Sequence, residues 1–515
     1  MTSTLSAPGA NVLGVVPNVY TTADTGTTID PDGFHYMQNV SGVLAPADNR
    51  LWIMAPEDRE REVIFETGGI GGISLRNCAN ITLWGLTGNS VTNTSAPKPG
   101  AVFRNRSGNN MHFIRMLVSR ANLGRNQTCF SNASAQWSYY EECEAYRFYR
   151  HGFSFQLATH FHVRRCYANP RSSVASSGNP DHAAGSVWRE GVNGYRARYG
   201  LIENCILEGQ AGHPIQCEHY LDETRGHHML FIGGLAYGSS RLFPTFYRKS
   251  GTHYGVVFKH YVVVGASMGD SRVGALDQQY GTDFGRFQNI TVANVDEGGA
   301  MRGDVGIHNG KGAEEYEAIA GEAPVTWRVQ HKNHVIWGNP FAYWERGNAG
   351  LQRSLSHCLL YDNGGTDAWS GDPNDMSSLK LTDAALVANV FTDSLNTDPE
   401  WGTFGTGTGK TLAFVPHSHP TLAGAGDGTG IDGNMGATVL YRHEGSLKAG
   451  GMATENWTSA PLWHPTTGHF PFGKVVAGYN DMDSAGDYNQ NRSAFNFHER
   501  IGMSDSTVLA AAYPS

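Results

Sequence analysis

Four residues between positions 218 and 249 bring together the groups that proton abstraction beside a carboxylate needs: Glu218, His219, Arg248 and Lys249. That chemistry requires a base to take the proton and a cation to hold the developing charge. His219, Arg248 and Lys249 could supply these roles. Hydrolysis of a glycosidic bond instead requires two carboxylates, about 5 to 9.5 Å apart. Glu190, Glu218 and Asp222 are the nearest candidates for such a pair. The competing reading is a solvated polar face with ordinary surface ion pairs, and no motif in the chain decides between catalysis and that face.

Any of these chemistries depends on what aligns the residues, and the chain offers an internal repeat. Ile81-Thr82-Leu83-Trp84, His112-Phe113-Ile114-Arg115-Met116, Phe161-His162-Val163-Arg164-Arg165-Cys166, Leu201-Ile202-Glu203-Asn204-Cys205 and Leu355-Ser356-His357-Cys358 share one shape, a short strand followed by a corner. Glycines at 200, 226, 255 and 285 recur after an aromatic or basic residue. Short strands punctuated by Gly, Asn and Asp, with no helical period between them, predict a solenoid of stacked strands. The Leu-x-x-Leu-x-Leu pattern of leucine-rich repeats is missing, and a propeller blade would need about 40 residues per unit. The remaining architecture is all-β: a right-handed parallel β-helix over residues 63 to 370, with an N-terminal cap over 1 to 62 and a C-terminal cap or small β domain over 371 to 515. Stacking would bring Arg189/Glu190, Glu218/His219, Arg248/Lys249, Gln278/Gln279, His308/Asn309 and Glu345/Arg346 onto successive coils, about 5 Å apart.

On these repeats the chain resembles the pectate-lyase-like superfamily of right-handed β-helix proteins, which includes polysaccharide lyases, some glycoside hydrolases and phage tailspikes. The resemblance covers residues 63 to 370 and rests on repeat shape, without a catalytic signature. A further likeness, in Gly436-Ala437-Thr438-Val439-Leu440-Tyr441-Arg442 and Ala460-Pro461-Leu462-Trp463, is to the tail segment of certain bacterial β-helix repeat proteins; it assigns no activity. The resemblance implies an extracellular or virion surface protein, tailspike-like or adhesin-like, that engages a polysaccharide or cell-surface glycan, with a homotrimer as its assembly. The alternative it implies is a polysaccharide lyase or glycoside hydrolase.

Composition narrows the partners. The 38 Lys plus Arg against 47 Asp plus Glu leave a formal charge of -9, with no run of like charge, so no nucleic-acid or anionic-membrane partner is expected. No stretch reaches 18 apolar residues, so no membrane span is expected. Met1 to Gly9 carries neither a positive cluster nor an apolar core; this reads as no secretory signal, consistent with a removed leader or release by lysis.

No cofactor is expected. Gly409-Lys410-Thr411 ends like a phosphate loop, but Phe404 stands where that pattern needs Gly. His417 and His419 could share a metal, yet no third zinc ligand is identifiable. Asp481 to Asp487 is spaced like a calcium loop without its later Glu. Cys143, Cys166, Cys205 and Cys358 fall at matching points of their repeats and read as an internal stack of small side chains. Asn77, Asn204, Asn289 and Asn333 read as turn-formers at one corner. Trp188, Trp327, Trp337, Trp344 and Trp369 could pack against sugar rings or fill the solenoid.

Overall fold

The computed structural model describes residues 2–5, 11–14, 19–20, 35–38, 51–56, 59–67, 73–90, 100–120, 127–146, 148, 150–164, 166–169, 190–209, 215–218, 227–238, 242–243, 254–264, 274–278, 285–293, 305–309, 327–345, 351–364, 381–398, 421–437, 441–444 and 456–461. The chain divides into two compact units, one built on Met1–Ile206 and the other on Leu207–Leu440, with the remaining C-terminal residues shared between them.

In the first unit each coil contributes a strand to one parallel sheet, turns a tight corner, and contributes two more strands to a second. The first sheet stacks Ile73–Arg76, Gly100–Arg106, Gln127–Ala133, His151–Gln156 and Glu190–Tyr195 in register. The second receives Ala79–Trp84, Asn109–Ile114, Gln136–Glu141 and Thr159–Arg164, and then Leu86–Ser90, Leu117–Arg120, Glu144–Tyr146 and Tyr167–Asn169. Parallel pairing is already present upstream of residue 63, where Leu51–Met54 pairs with Ala79–Trp84 and His35–Gln38 with Ile73–Arg76.

Register forces like residues to stack inside. Phe103, Phe130 and Phe153 form a ladder with ring centroids 5.5 and 4.9 Å apart. Each such ring contributes about 1.5 to 3 kcal/mol by leaving water. Asn105 and Asn132, both fully buried, sit one step away, and the Asn105 amide nitrogen donates to the Asn132 amide oxygen at 3.0 Å. Cys143, Cys166 and Cys205 are buried at the corner inside the second sheet, each Sγ donating to a backbone carbonyl. Burial raises the Cys166 thiol pKa well above its ordinary value, which suits an inert packing role.

Buried charge clips residues 59–62 to the same corner. Arg61 donates to the Glu144 carboxylate, which also accepts from the Tyr146 hydroxyl at 2.6 Å, and to the Glu142 carbonyl at 3.3 Å. Arg115 donates to Glu142 at 2.8 Å and to Glu60 at 3.2 Å. Burial works against the Arg115 charge, but Glu142 and Glu60 outweigh it and raise its pKa.

The second unit repeats the plan. Ile215–Glu218, Leu242–Phe243, Gly274–Gln278, Val305–Asn309 and Phe341–Glu345 form one parallel ladder. Tyr254–Val264, then Gly285–Gln288 with Thr291–Ala293, Trp327–Lys332 with Val335–Trp337, and Leu351–Ser356 with Leu359–Tyr361 form the other. Its interior carries the stack Phe231, Phe258, Phe287 and His331, at 4.6, 5.2 and 4.7 Å. Coil-like pairing continues past residue 370, since Thr392 and Leu395 bridge in parallel to Ser356 and Leu359. Both units coil as right-handed parallel β-helices, as the repeat and the resemblance led one to expect.

Two details of the expected register change. Val257 pairs with Arg286, so Gly285 lies opposite Val256 and the repeating glycines are not equivalent positions. The equivalent positions are corner residues in left-handed backbone. Asn77, Asn289 and Asn333 have φ of 50°, 52° and 60°, the region that Asn tolerates best after Gly. Asn77, however, turns between the two sheets, whereas Asn289 and Asn333 turn within one, and Asn204 lies inside the strand Arg198–Gly209.

Candidate glycan-contact surface

The corner that joins the two sheets of the first unit recurs five times, at 76–80, 106–110, 133–137, 156–160 and 195–199. Register aligns Arg76 with Arg106, then Ala133, Gln156 and Tyr195 on one side of it. Asn109, Gln136, Thr159 and Arg198 align on the other. The first residue of each turn, from Asn77 through Ser107, Ser134 and Leu157 to Arg196, has φ between 50° and 54°. The next is small and buried: Cys78, Ala135, Ala158 and Ala197.

Three residues after the first residue of each turn a second left-handed position follows, and here the residue type changes along the stack. Asn80 and Asn110 come first, with φ of 55° each and a 2.7 Å bond between their amides. Trp137, His160 and Tyr199 come next, with φ of 53°, 52° and 51°. For a bulky side chain this conformation costs about 1 kcal/mol or more. The rings stack, Trp137 on His160 at 4.3 Å and His160 on Tyr199 at 4.7 Å, with interplanar angles near 20°. Partial burial lowers the His160 pKa below the ordinary imidazole value, so the column is uncharged near neutral pH.

Trp137, Leu157 and Tyr199, 56%, 38% and 37% exposed, are the large apolar side chains left in water among the described residues, and all three belong to this corner. Because the rings use their faces on one another, the column presents a ridge of ring edges, ending in the indole of Trp137 on the Asn110 side. Amides of Asn109, Gln136 and Gln156 border it. Such a strip offers apolar ring edges beside amides that can bond sugar hydroxyls.

The residues singled out from sequence lie elsewhere. Glu218 ends the strand Ile215–Glu218; His219, Asp222, Arg248 and Lys249 are outside the described residues. The ladder aligns Ile215 with Leu242, so Arg248 lies six residues past one anchor while Glu218 lies three past the other. Glu190 begins a strand of the first unit and pairs in register with His151. Asp277, His308 and Trp344 share one level of three successive coils, as do Gln278, Asn309 and Glu345. His308 therefore aligns with Asp277 and not with Gln278. His417, His419, Asp481 to Asp487, Trp188 and Trp369 are outside the described residues. Trp337 is partly buried and packs against the cluster of Val335, Leu359, Leu422 and Met435, which includes the segment 421–437.

Sequence reasoning missed Trp137 and His160. They are 23 residues apart and Tyr199 follows 39 later, because the loops between coils differ in length, so no fixed period reveals them. The signal that could have found them is local, an exposed-type residue three places after each corner.

No family model matches the chain, and no curated protein matches it. Among solved structures it is similar to a PL6 family alginate lyase, with a TM-score of 0.40 and 10% identity over 79% of this chain and 52% of that one. It is similar to an exopolygalacturonase from Thermotoga maritima, with a TM-score of 0.39 and 14% identity over 61% and 80%. A third likeness is to the ORF18 protein of Geobacillus virus E2, at 0.34 and 10% over 69% and 54%. The chain thus spans about half the length of the alginate lyase it matches. At those scores its fold rests on its own parallel ladders, and these make it a right-handed parallel β-helix.

Proposed function

We propose that this protein is a glycan-engaging surface protein, tailspike-like or adhesin-like, and that the corner carrying Trp137, His160 and Tyr199 is its contact surface. The observation that carries this reading is the concentration on one corner of the exposed apolar side chains Trp137, Leu157 and Tyr199. All three are held in left-handed backbone, and Trp137 and Tyr199 stand at the level where coils nearer the N-terminus use Asn. Exposure and strain both oppose folding stability, so a ligand is the reason to keep them. An extended polymer fits a column that repeats every coil, and such polymers are met outside the cell or on a virion's target surface. A homotrimer would multiply weak contacts by avidity.

The second reading, a polysaccharide lyase or glycoside hydrolase, draws on Asp277 and His308. They are register neighbours on the ladder that also holds Glu218, which offers an acid and an imidazole about 5 Å apart at the backbone. Glu218, His219, Arg248 and Lys249 stay the proposed groups for that chemistry.

A panel of neutral and acidic polysaccharides, scored for binding, for new reducing ends and for ultraviolet absorbance of unsaturated products, separates the readings. Binding with neither product signal supports the surface protein. Turnover supports the enzyme. No binding on a broad panel contradicts both.

A further inference from the structure

We infer that Thr128, His151 and Glu190 form a hydroxyl, imidazole and carboxylate site for acyl transfer, which hydrolyses ester groups carried on sugar hydroxyls. The choice of a sugar ester rests on the glycan reading; the hydrolytic site does not. The three residues stand in register on successive coils of the first sheet, each about 4.8 Å from the next at the backbone. The Thr128 hydroxyl lies 3.4 Å from His151 Nδ1, and both residues are only 6% exposed.

The solenoid does not demand these residues. One coil earlier the same level is held by buried Ala101, and two residues further along the same strands the level is hydrocarbon: Phe103, Phe130, Phe153 and Val192. A hydroxyl and an imidazole buried at such a place cost stability unless they bond, and here they face each other. The trio also stands at the starts of its strands, Gln127–Ala133, His151–Gln156 and Glu190–Tyr195, directly after the connections between coils. Those connections, 121–126, 147–150 and 170–189, differ in length. Variable segments held by a regular scaffold are where proteins place their chemistry.

The chemistry divides among the three. A threonine hydroxyl is a weak nucleophile until a base takes its proton. The β-branched side chain has few rotamers, which holds Oγ1 at the imidazole. For Nδ1 to be that base, the ring must carry its own hydrogen on Nε2, and a carboxylate one coil on is the group that fixes this tautomer. Thr128 Oγ1 attacks the ester carbonyl while Nδ1 takes the hydroxyl proton, and the sugar oxygen leaves with that proton. Water, deprotonated by the same nitrogen, cleaves the threonyl ester, releases the acid and restores the hydroxyl. Thr128 and His151 are catalytic residues, and Glu190 is a positioning residue.

The test offers the full chain p-nitrophenyl acetate, O-acetylated xylan and mannan, and the same polymers deacetylated, and measures nitrophenol release, acetate release and binding. The wild-type chain should release both products above the uncatalysed rate. Thr128→Val, which replaces the hydroxyl by a methyl, and His151→Gln should each lose about a hundredfold or more in kcat. Thr128→Ser should keep activity. Glu190→Gln should lower kcat with KM kept, the signature of lost positioning and not of lost binding. If the valine variant fails to fold, a fluorophosphonate probe on the wild-type chain decides, and peptide mass spectrometry should find it on Thr128. Release that survives Thr128→Val or His151→Gln, or a label on another residue, overturns the site. Polysaccharide binding with no release of either product overturns the inference and leaves the glycan reading standing. Nitrophenol release without acetate release overturns the sugar ester and leaves the site; if the chain also binds no polysaccharide, the glycan reading falls with it.

Discussion

Trp137 has more than half its surface in water and a φ that Asn80 and Asn110 adopt with less strain at the same level of two other coils. Trp137→Asn should therefore leave thermal stability unchanged or raise it, by up to about 1 kcal/mol; melting curves check this. A loss of stability would show that the indole is there for packing. His331 is the opposite case, an imidazole fully buried in a phenylalanine stack. Burial lowers its pKa from 6.5 to about 3, and burial, with His331 beside it, lowers His334 as well. A depressed imidazole pKa means that the unfolded chain binds the proton more readily. The stability is present above pH 6.5 and is lost as pH falls from there toward 3, by a few kcal/mol. His331→Phe should flatten that loss, as denaturant midpoints across the window would show. Arg61, 1% exposed, is a third case. Arg61→Ala strands the Glu144 charge in the interior and should destabilise the first unit by about 3 to 5 kcal/mol.

Among elements, the glycine-rich segment 421–437 forms a strap on the second unit. Leu422 and Met435 are buried in the core of the second unit. Between them the chain is fastened by coil corners. Asn289 donates to the carbonyls of Asp432 and Asn434 at 3.1 and 2.7 Å, and Asn333 to those of Asp427 and Asp432 at 3.0 and 2.8 Å. A Cβ at Gly426 would stand 2.8 Å from the Asn333 amide, and Gly428 has a φ of 150°. Asp432 lies against buried His260 at 2.9 Å and Lys259 at 3.0 Å. Burial opposes its charge, but both partners outweigh it and hold its pKa well below the carboxylate range. Its contribution is present above about pH 4 and is lost as pH falls through the depressed value. Asp432→Asn should lower stability by about 1 kcal/mol and speed hydrogen exchange across 421–437 while the coil strands stay protected. Asn289 and Asn333 were legible as corner residues that bond backbone. That the backbone belongs to a strap some 95 to 145 residues away was not legible, because contacts across that separation leave no spacing in the sequence.

At the scale of the whole molecule, the parallel β-helix was legible because each coil repeats its strand and corner even where loop lengths vary. The site was not. Glu218, His219, Arg248 and Lys249 were chosen for their chemistry under an assumed register, and the ladder shows that a one-residue slip moves His308 from Gln278 to Asp277. The exposed aromatic column escaped because Trp137 and His160 declare themselves only once the corners are aligned. The resemblance to tailspikes gives the expectation that the protein self-associates. Sedimentation should show a trimer, and a monomer at all concentrations would remove avidity from the account. The most direct test of the central claim is affinity for the best-bound polysaccharide of the panel, compared between the wild-type chain and a folded Trp137→Asn/Tyr199→Asn variant. The account predicts that the variant loses at least about tenfold in affinity with its melting temperature kept, and unchanged affinity would contradict it.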